Sequence, residues 1–171
     1  EKKSLDLLIK AYQPLYLFGP SDHVAMNSPF QLVKTFRRFV LYKAPRTPTY
    51  PIYEKLKLLL STSGSTGSPK AVRLTSDNVA SNATAIADYL NISSKDTAIT
   101  TMPMSYSYGL SIINSHLLIG ATIVLSTAAV IEKRFWQSID TYKVTNFGGV
   151  PFIYEMLKKV GFAKRELSSL T

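Results

Sequence analysis

The sequence of 171 residues contains no cysteine. It therefore offers no disulfide framework, no thiol nucleophile and no thiolate metal ligand, and it is compatible with a reducing compartment. Histidine is also scarce, with only His23 and His116 in the chain. Neither histidine belongs to a motif with a carboxylate at metal-ligand spacing, so we interpret both as surface or packed side chains.

Long apolar runs are missing as well. The most apolar stretch, residues 109–125, is interrupted by Asn114, Ser115 and His116, and it is shorter than the ~20 apolar residues of a spanning helix. The N-terminal segment has the pattern of neither a signal peptide nor a transit peptide. We therefore expect no membrane span and a cytoplasmic protein.

Acidic residues are few, with 11 Asp and Glu against 20 Lys and Arg, which gives a net charge of +9. Such a surface attracts anions. The positive charges are scattered along the chain and do not form a basic stripe interleaved with aromatic residues, so no nucleic-acid partner is expected. Phosphates and small acidic molecules are the anions that the motifs below favour.

Helix and strand patterns alternate along the chain, which predicts an α/β fold with a layered, largely parallel sheet and flanking helices. A connector at residues 44–51 contains three prolines and should lack regular structure. We predict a single partial domain over residues 1–171. Strands are predicted at 15–18, 36–42, 56–60, 71–75, 96–102, 121–126 and 146–150, and helices near 5–12, 79–90, 110–119, 133–142 and 151–160.

The segment from Ser61 to Val72 reads STSGSTGSPKAV and is rich in hydroxyl groups and glycine. Gly64 and Gly67 allow successive backbone N–H groups to turn toward one point, where they can surround an anion. The hydroxyl groups add further donors, and Lys70 adds a full positive charge. A polyphosphate is the ligand that suits this combination, whereas an ordinary polar connector is the plainer alternative.

This segment differs from the P-loop of nucleoside triphosphatases. Only two residues separate Gly64 from Gly67, Lys70 follows a proline, and a strand rather than a helix is predicted to begin at Ala71. We therefore expect the anion to be held by amides, hydroxyl groups and lysine without the dipole of a helix.

Three motifs occur in order along the chain: STSGSTGSPK followed by a strand and LTSDN, then MPMSYSYGL (102–110), and then GGVPFIYEML (148–157). Together they resemble the adenylate-forming enzymes, which include acyl- and aryl-CoA synthetases, nonribosomal peptide adenylation domains and luciferases. The second motif is similar to the segment beside the acid pocket of that family, and the third is similar to a strand-to-helix turn that helps to line this pocket. The resemblance covers residues 56–171.

The resemblance implies roles for individual residues, together with ATP, Mg²⁺ and coenzyme A as co-substrates or cofactors. The acid is joined to the α-phosphate of ATP and then passed to a thiol. The residues implied to bind the ATP phosphates are Thr62, Ser63, Gly64, Ser65, Thr66, Gly67 and Lys70, with Thr62 near magnesium. The residues implied to line the acid pocket are Tyr106, Ser107, Tyr108, Gly109, Gly149, Val150 and Pro151.

Departures from the family pattern bear on the substrate. Tyr106 stands where the family has a pocket histidine, Ser76 stands where a histidine is common, and Ala71 replaces a glycine. No acidic residue occurs between Thr97 and Ile131, the region where amino-acid-activating relatives carry an aspartate. Because an uncompensated buried ammonium is costly, an acyl or aryl acid is favoured over an amino acid.

The family motifs for adenine and ribose, and the C-terminal lid with its catalytic lysine, are not found in the chain. We therefore interpret it as a fragment of the large N-terminal domain, inactive alone, whose partners are a carboxylic acid, a nucleotide and the rest of its parent chain. Two alternatives stay open. One is a fragment of an amino-acid-activating domain, and the other is a non-catalytic phosphate-binding or interaction module.

Overall fold

The computed structural model describes residues 2–22, 29–46, 50–61, 71–165 and 167–170. The chain divides into two compact units, Glu1–Ile52 and Tyr53–Thr171, and each is described by itself. The helices are α1 (Lys2–Tyr12), α2 (Ser76–Tyr89), α3 (Ser107–Leu118), α4 (Lys133–Tyr142) and α5 (Pro151–Lys159). The strands are β1 (Tyr16–Pro20), β2 (Gln31–Phe36), β3 (Phe39–Lys43), β4 (Leu56–Ser61), β5 (Ala71–Thr75), β6 (Thr97–Ile99) and β7 (Thr122–Val124).

The first unit consists of α1 and an antiparallel sheet with the strand order β1-β3-β2. The prediction of one continuous strand over residues 36–42 is wrong, because the chain reverses at Arg37 and Arg38 and forms a hairpin between β2 and β3. Arg37 has φ 54°, the left-handed conformation that short hairpin turns require. An arginine pair gives no sequence signal for such a turn, which is why the pattern suggested a strand.

The second unit begins with the antiparallel pair β4 and β5 and continues directly into α2. Thr75 caps this helix, since its hydroxyl oxygen accepts from the Asn78 backbone N–H at 3.2 Å while the Asn78 side chain accepts from the Thr75 backbone N–H at 3.0 Å. This reciprocal arrangement satisfies two N–H groups at the helix end. The helix therefore begins at Ser76, three residues before the predicted start at residue 79, and the cap fixes the direction in which α2 leaves the hairpin.

The α/β class is confirmed, but most of the described sheets are antiparallel rather than parallel. Among the strands that the structure describes, only β6 and β7 pair in parallel, and the crossover helix α3 connects them. The two antiparallel sheets have short connections, whereas a parallel crossover needs about a dozen residues or more. The predicted strand at 146–150 is reduced to one parallel bridge between Asn146 and Ala98, because Gly148 and Gly149 favour strand structure poorly.

The core of the second unit lies between α4, α5 and the end of β6. Trp136 is only 5% exposed, and its indole N–H donates to the Val130 carbonyl oxygen at 2.7 Å. The Phe135 ring meets Trp136 edge to face at a centroid distance of 5.3 Å, a favourable aromatic geometry. The buried members of this core are Ile99, Val130, Phe135, Trp136, Ile139, Val144 and Leu157.

In the part of the chain that the structure describes, no helix is both long enough and apolar enough to cross a lipid bilayer.

Candidate functional site

The residues predicted to bind the ATP phosphates lie outside the described part of the chain. The strands on either side of them are described, and they place Ser61 opposite Ala71 in the β4–β5 pair. The two residues that flank the predicted phosphate-binding segment therefore lie side by side. The predicted residues concerned are Thr62, Ser63, Gly64, Ser65, Thr66, Gly67 and Lys70.

A cleft of about 790 Å³ lies between α2, α3 and the segment 146–148. One face of α3 forms a wall of this cleft, because its lining residues recur at intervals of three and four, the spacing of one helix face. The residues of α3 on this wall are Ser107, Tyr108, Ser111, Ile112, Ser115 and His116. Ile86, Tyr89 and Leu90 belong to the wall formed by the C-terminal half of α2.

The second predicted motif reaches this cleft through Ser107 and Tyr108. Gly109 is buried behind them, and a β-carbon at this position would lie 2.9 Å from the Met102 carbonyl oxygen and still closer to that of Pro103. The lack of a side chain thus lets the first turn of α3 pack on the backbone of Met102 and Pro103. Tyr106 caps α3, is 60% exposed and is not among the lining residues.

The third predicted motif reaches the cleft through Gly148, one residue before the three predicted positions. Gly149, Val150 and Pro151 instead form the start of α5, with Val150 as the N-cap and Pro151 in the first turn, where proline is well tolerated. The two motifs therefore meet in one cleft across Tyr108 and Gly148. The expected roles of Tyr106, Ser107, Tyr108, Gly109, Gly149, Val150 and Pro151 in binding an acid stay predictions.

A polar group that the sequence interpretation did not include lies in the same cleft. His116 is 3% exposed, with Nδ1 at 2.8 Å from the Ile112 carbonyl oxygen and Nε2 at 3.0 Å from Oδ1 of Asn146. The Asn146 amide donates to Oγ1 of Thr145 at 3.2 Å, and that hydroxyl donates to Oδ1 of Asp96 at 2.8 Å. His116 was expected to be a packed or surface side chain, and its spacing of eight residues from Tyr108 is the signal that places both on one face of α3.

The carboxylate of Asp96 is held in its ionised form. The Ser93 backbone N–H donates to it at 2.8 Å, the main cause of a lowered pKa, and the Thr145 hydroxyl contributes next. Hydrogen bonds to a carboxylate stabilise its charge. Because Asp96 also lines the cleft, it places a negative charge in the part of the cleft that contains His116 and Asn146.

The described residues contain no group of three or more His, Asp or Glu side chains that could hold a metal ion. The predicted magnesium-binding residue, Thr62, lies outside the described ranges. Its hydroxyl is an oxygen donor, the type of ligand that magnesium prefers beside phosphate oxygens.

Comparison with known proteins adds decisive evidence. The family model described as AMP-binding enzyme matches residues 19–171, which include β4, β5 and both walls of the cleft. This chain belongs to the AMP-binding enzyme family. Long-chain-fatty-acid–CoA ligase 1 of Schizosaccharomyces pombe is 29% identical over 144 residues, covering 81% of this chain and 21% of that protein.

Two solved structures of this family resemble the chain. One is o-succinylbenzoate CoA synthetase from Bacillus subtilis in complex with ATP and magnesium ion, with a TM-score of 0.57, 28% identity, and coverage of 66% of this chain and 23% of that structure. The other is the N-terminal domain of FACL13 from Mycobacterium tuberculosis, with a TM-score of 0.59, 25% identity, and coverage of 70% and 31%. The AMP-binding chain thus spans about a fifth of the length of the fission yeast ligase and less than a third of these two structures.

Proposed function

We propose that this chain is part of the N-terminal domain of an ATP-dependent acid–thiol ligase, with the C-terminal lid in a portion of the parent protein beyond residues 1–171. The observation that carries the proposal is the cleft in which two family motifs face each other across Tyr108 and Gly148. It lies in the unit that also contains the β4–β5 pair flanking the phosphate-binding segment. The proposed place of the reaction is the cytoplasm.

The proposed reaction has two steps. A carboxylate oxygen of the acid attacks the α-phosphorus of ATP, the bond to pyrophosphate breaks, and an acyl adenylate forms. A thiol, such as that of coenzyme A, then attacks the acyl carbon and AMP leaves. Since a carboxylate is already ionised at neutral pH, the first step depends on alignment and on stabilising the charge of the leaving pyrophosphate rather than on a general base.

Each part of the site has a proposed role in this reaction. The backbone amides, hydroxyl groups and Lys70 of the segment 62–70 hold the phosphates of ATP. Magnesium would be held by the phosphates and the Thr62 hydroxyl, and it would neutralise charge on the pyrophosphate. The cleft along α3 binds the acid, with its apolar side chains packing against the acyl or aryl part and the Tyr108 ring forming an aromatic wall.

Activation of an amino acid is the second candidate, and Asp96 is the observation that favours it. This aspartate lies just outside the region 97–131 and lines the cleft, where it could face a substrate ammonium group. However, its two oxygens already accept from the Ser93 backbone N–H, the Ser93 hydroxyl and the Thr145 hydroxyl. An acyl or aryl acid therefore remains the favoured substrate class.

The full-length protein that contains this chain should be tested by ATP–pyrophosphate exchange with a panel of fatty, aryl and amino acids, followed by thioester formation with coenzyme A. We expect exchange with at least one fatty or aryl acid. Lys70→Ala should lower this exchange about 100-fold, the typical loss when one donor to a developing anion is removed.

Lys133→Ala is the matched control, because it removes the same charge from an exposed position on α4. It should leave the exchange rate within about twofold, as most surface substitutions do. Exchange only with amino acids would favour the second candidate. Binding of ATP without exchange for any acid would favour a non-catalytic phosphate-binding module.

A further inference from the structure

The polar residues in the cleft hold two of its walls together. We propose that His116 is a positioning residue whose side chain joins α3 to Asn146 and so fixes the distance between α3 and the segment 146–148. We name this contact the His116–Asn146 bridge. It deepens the proposed function and rests on it for its kinetic consequence, because the wall that it positions is the one along which the acid would bind.

The surroundings of His116 show that the ring is held on both sides. The Ile112 carbonyl oxygen can only accept a hydrogen bond, so the 2.8 Å contact requires a proton on Nδ1. On the other side, Nε2 lies 3.0 Å from the Asn146 side chain. A ring protonated at both nitrogens donates to the amide oxygen there, whereas a ring protonated only at Nδ1 accepts from the amide nitrogen once the amide has turned over, which gives up the hydrogen bond from the Asn146 amide to the Thr145 hydroxyl. Both arrangements keep the bridge.

Asn146 is in turn fixed to the sheet. Its backbone carbonyl oxygen accepts from the Ile99 N–H at 3.3 Å, and its side-chain amide donates to the Thr145 hydroxyl at 3.2 Å. The Thr145 hydroxyl also accepts from the Thr97 backbone N–H at 3.1 Å. The segment before Gly148 is therefore anchored at β6, and the His116–Asn146 bridge is the side-chain hydrogen bond that ties α3 to this anchored segment.

The position of the bridge along α3 explains how it would act on a bound acid. His116 and Tyr108 lie on one helix face, and eight residues of helix correspond to about 12 Å. Tyr108 faces Gly148 at one end of this face, while the bridge lies at the other. Without the bridge, α3 can shift relative to 146–148 along the whole cleft, so the acid loses its alignment while the phosphate-binding segment between β4 and β5 is unaffected.

The test uses the full-length protein with His116→Phe, Asn146→Leu and the double variant. Each single variant should raise KM for the acid about tenfold, the effect of losing one buried hydrogen bond, and leave KM for ATP within twofold. The double variant should have a KM for the acid no higher than that of the more impaired single variant, because both substitutions remove the same contact. Ile139→Val is the matched control. It removes a methyl group from a buried residue of α4 in the core, and it should lower the melting temperature without changing KM for the acid.

Hydrogen–deuterium exchange supplies a readout that does not need activity. His116→Phe and Asn146→Leu should both speed exchange in residues 145–148, and Ile139→Val should not do so selectively. The proposal would be overturned if KM for the acid and KM for ATP rose equally. It would also be overturned if the protection of residues 145–148 from hydrogen–deuterium exchange stayed unchanged in the variants. If the wild-type protein forms no acyl adenylate with any acid, the proposed function fails. The hydrogen–deuterium exchange of residues 145–148 still decides whether the His116–Asn146 bridge holds the two walls together.

Discussion

Gly148 and Tyr108 face each other so closely that a β-carbon on residue 148 would lie 2.8 Å from the Tyr108 hydroxyl oxygen and 2.7 Å from Cδ1 of Ile112. Both of these atoms are the far ends of side chains that line the cleft. A methyl group at 148 can therefore be accommodated only when Tyr108 and Ile112 move, and the space into which they can move is the cleft itself.

We predict that Gly148→Ala narrows the cleft. In the full-length protein, KM for the preferred acid should rise about tenfold, while the melting temperature falls only slightly because side-chain ends move more easily than backbone. The measurement is acid-dependent pyrophosphate release at saturating ATP, with thermal unfolding followed in parallel.

Gly149→Ala is the control for this prediction. A β-carbon at residue 149 would have its nearest contacts with side-chain atoms of Ile153, at 3.0 Å and 3.1 Å, and of Tyr154, at 3.4 Å, rather than with Tyr108. Its effect on KM for the acid should be clearly smaller. A larger effect from Gly149→Ala than from Gly148→Ala would show that the acid does not bind beside Tyr108.

The elements of the second unit could largely be predicted from the sequence because their local signals agree with the fold. The apolar pattern of residues 79–90 predicted α2, and the capping hydrogen bonds between Thr75 and Asn78 explain why the helix begins at Ser76. The apolar pattern of α3 was likewise sufficient to predict a helix. The apolar runs did not predict whether the strands pair in parallel or antiparallel, because such runs do not encode pairing partners. The short connections between the strands determine the antiparallel direction.

The residues that line the cleft could be predicted only in part, and the binding of an acid there stays a prediction. Local motifs identified Ser107 and Tyr108, which line the cleft. His116 and Asn146 are 30 residues apart, and neither stands in a motif, so only the folded chain brings them together. Asp96 was not predicted to lie in the cleft, because it precedes the region 97–131 in which amino-acid-activating relatives carry an aspartate and it stands in no motif.

Gly109→Ala should be more destabilising than either glycine substitution above. The atoms that a β-carbon at 109 would meet are backbone carbonyl oxygens of Met102 and Pro103, which cannot rotate away. We expect a loss of about 2–3 kcal/mol in the free energy of unfolding, typical of overpacking against a rigid neighbour, measured by urea denaturation. A loss below about 0.5 kcal/mol, the range of neutral surface changes, would mean that the contact is looser than described.

The hydrogen bonds to Asp96 predict an acid-sensitive contribution to stability. Because the Ser93 N–H and the Thr145 hydroxyl lower the pKa of Asp96 in the folded protein, the ionised carboxylate contributes fully above the ordinary value of 3.8, and this contribution is lost as the pH falls through the folded pKa. Asp96→Asn should therefore cost about 1–2 kcal/mol at pH 7, and its difference from the wild type should shrink below about pH 4.

Urea unfolding from pH 2.5 to 7 measures this difference directly. Asp140→Asn removes the same charge from an exposed position on α4 and serves as the control for a general effect of net charge. A gap between the wild type and Asp96→Asn that does not shrink between pH 7 and pH 2.5 would refute a contribution from the ionised carboxylate, because below the ordinary pKa of 3.8 the unfolded wild-type chain binds a proton at residue 96 before the folded protein does. The same gap in Asp140→Asn would assign the effect to net charge rather than to the hydrogen bonds from Ser93 and Thr145.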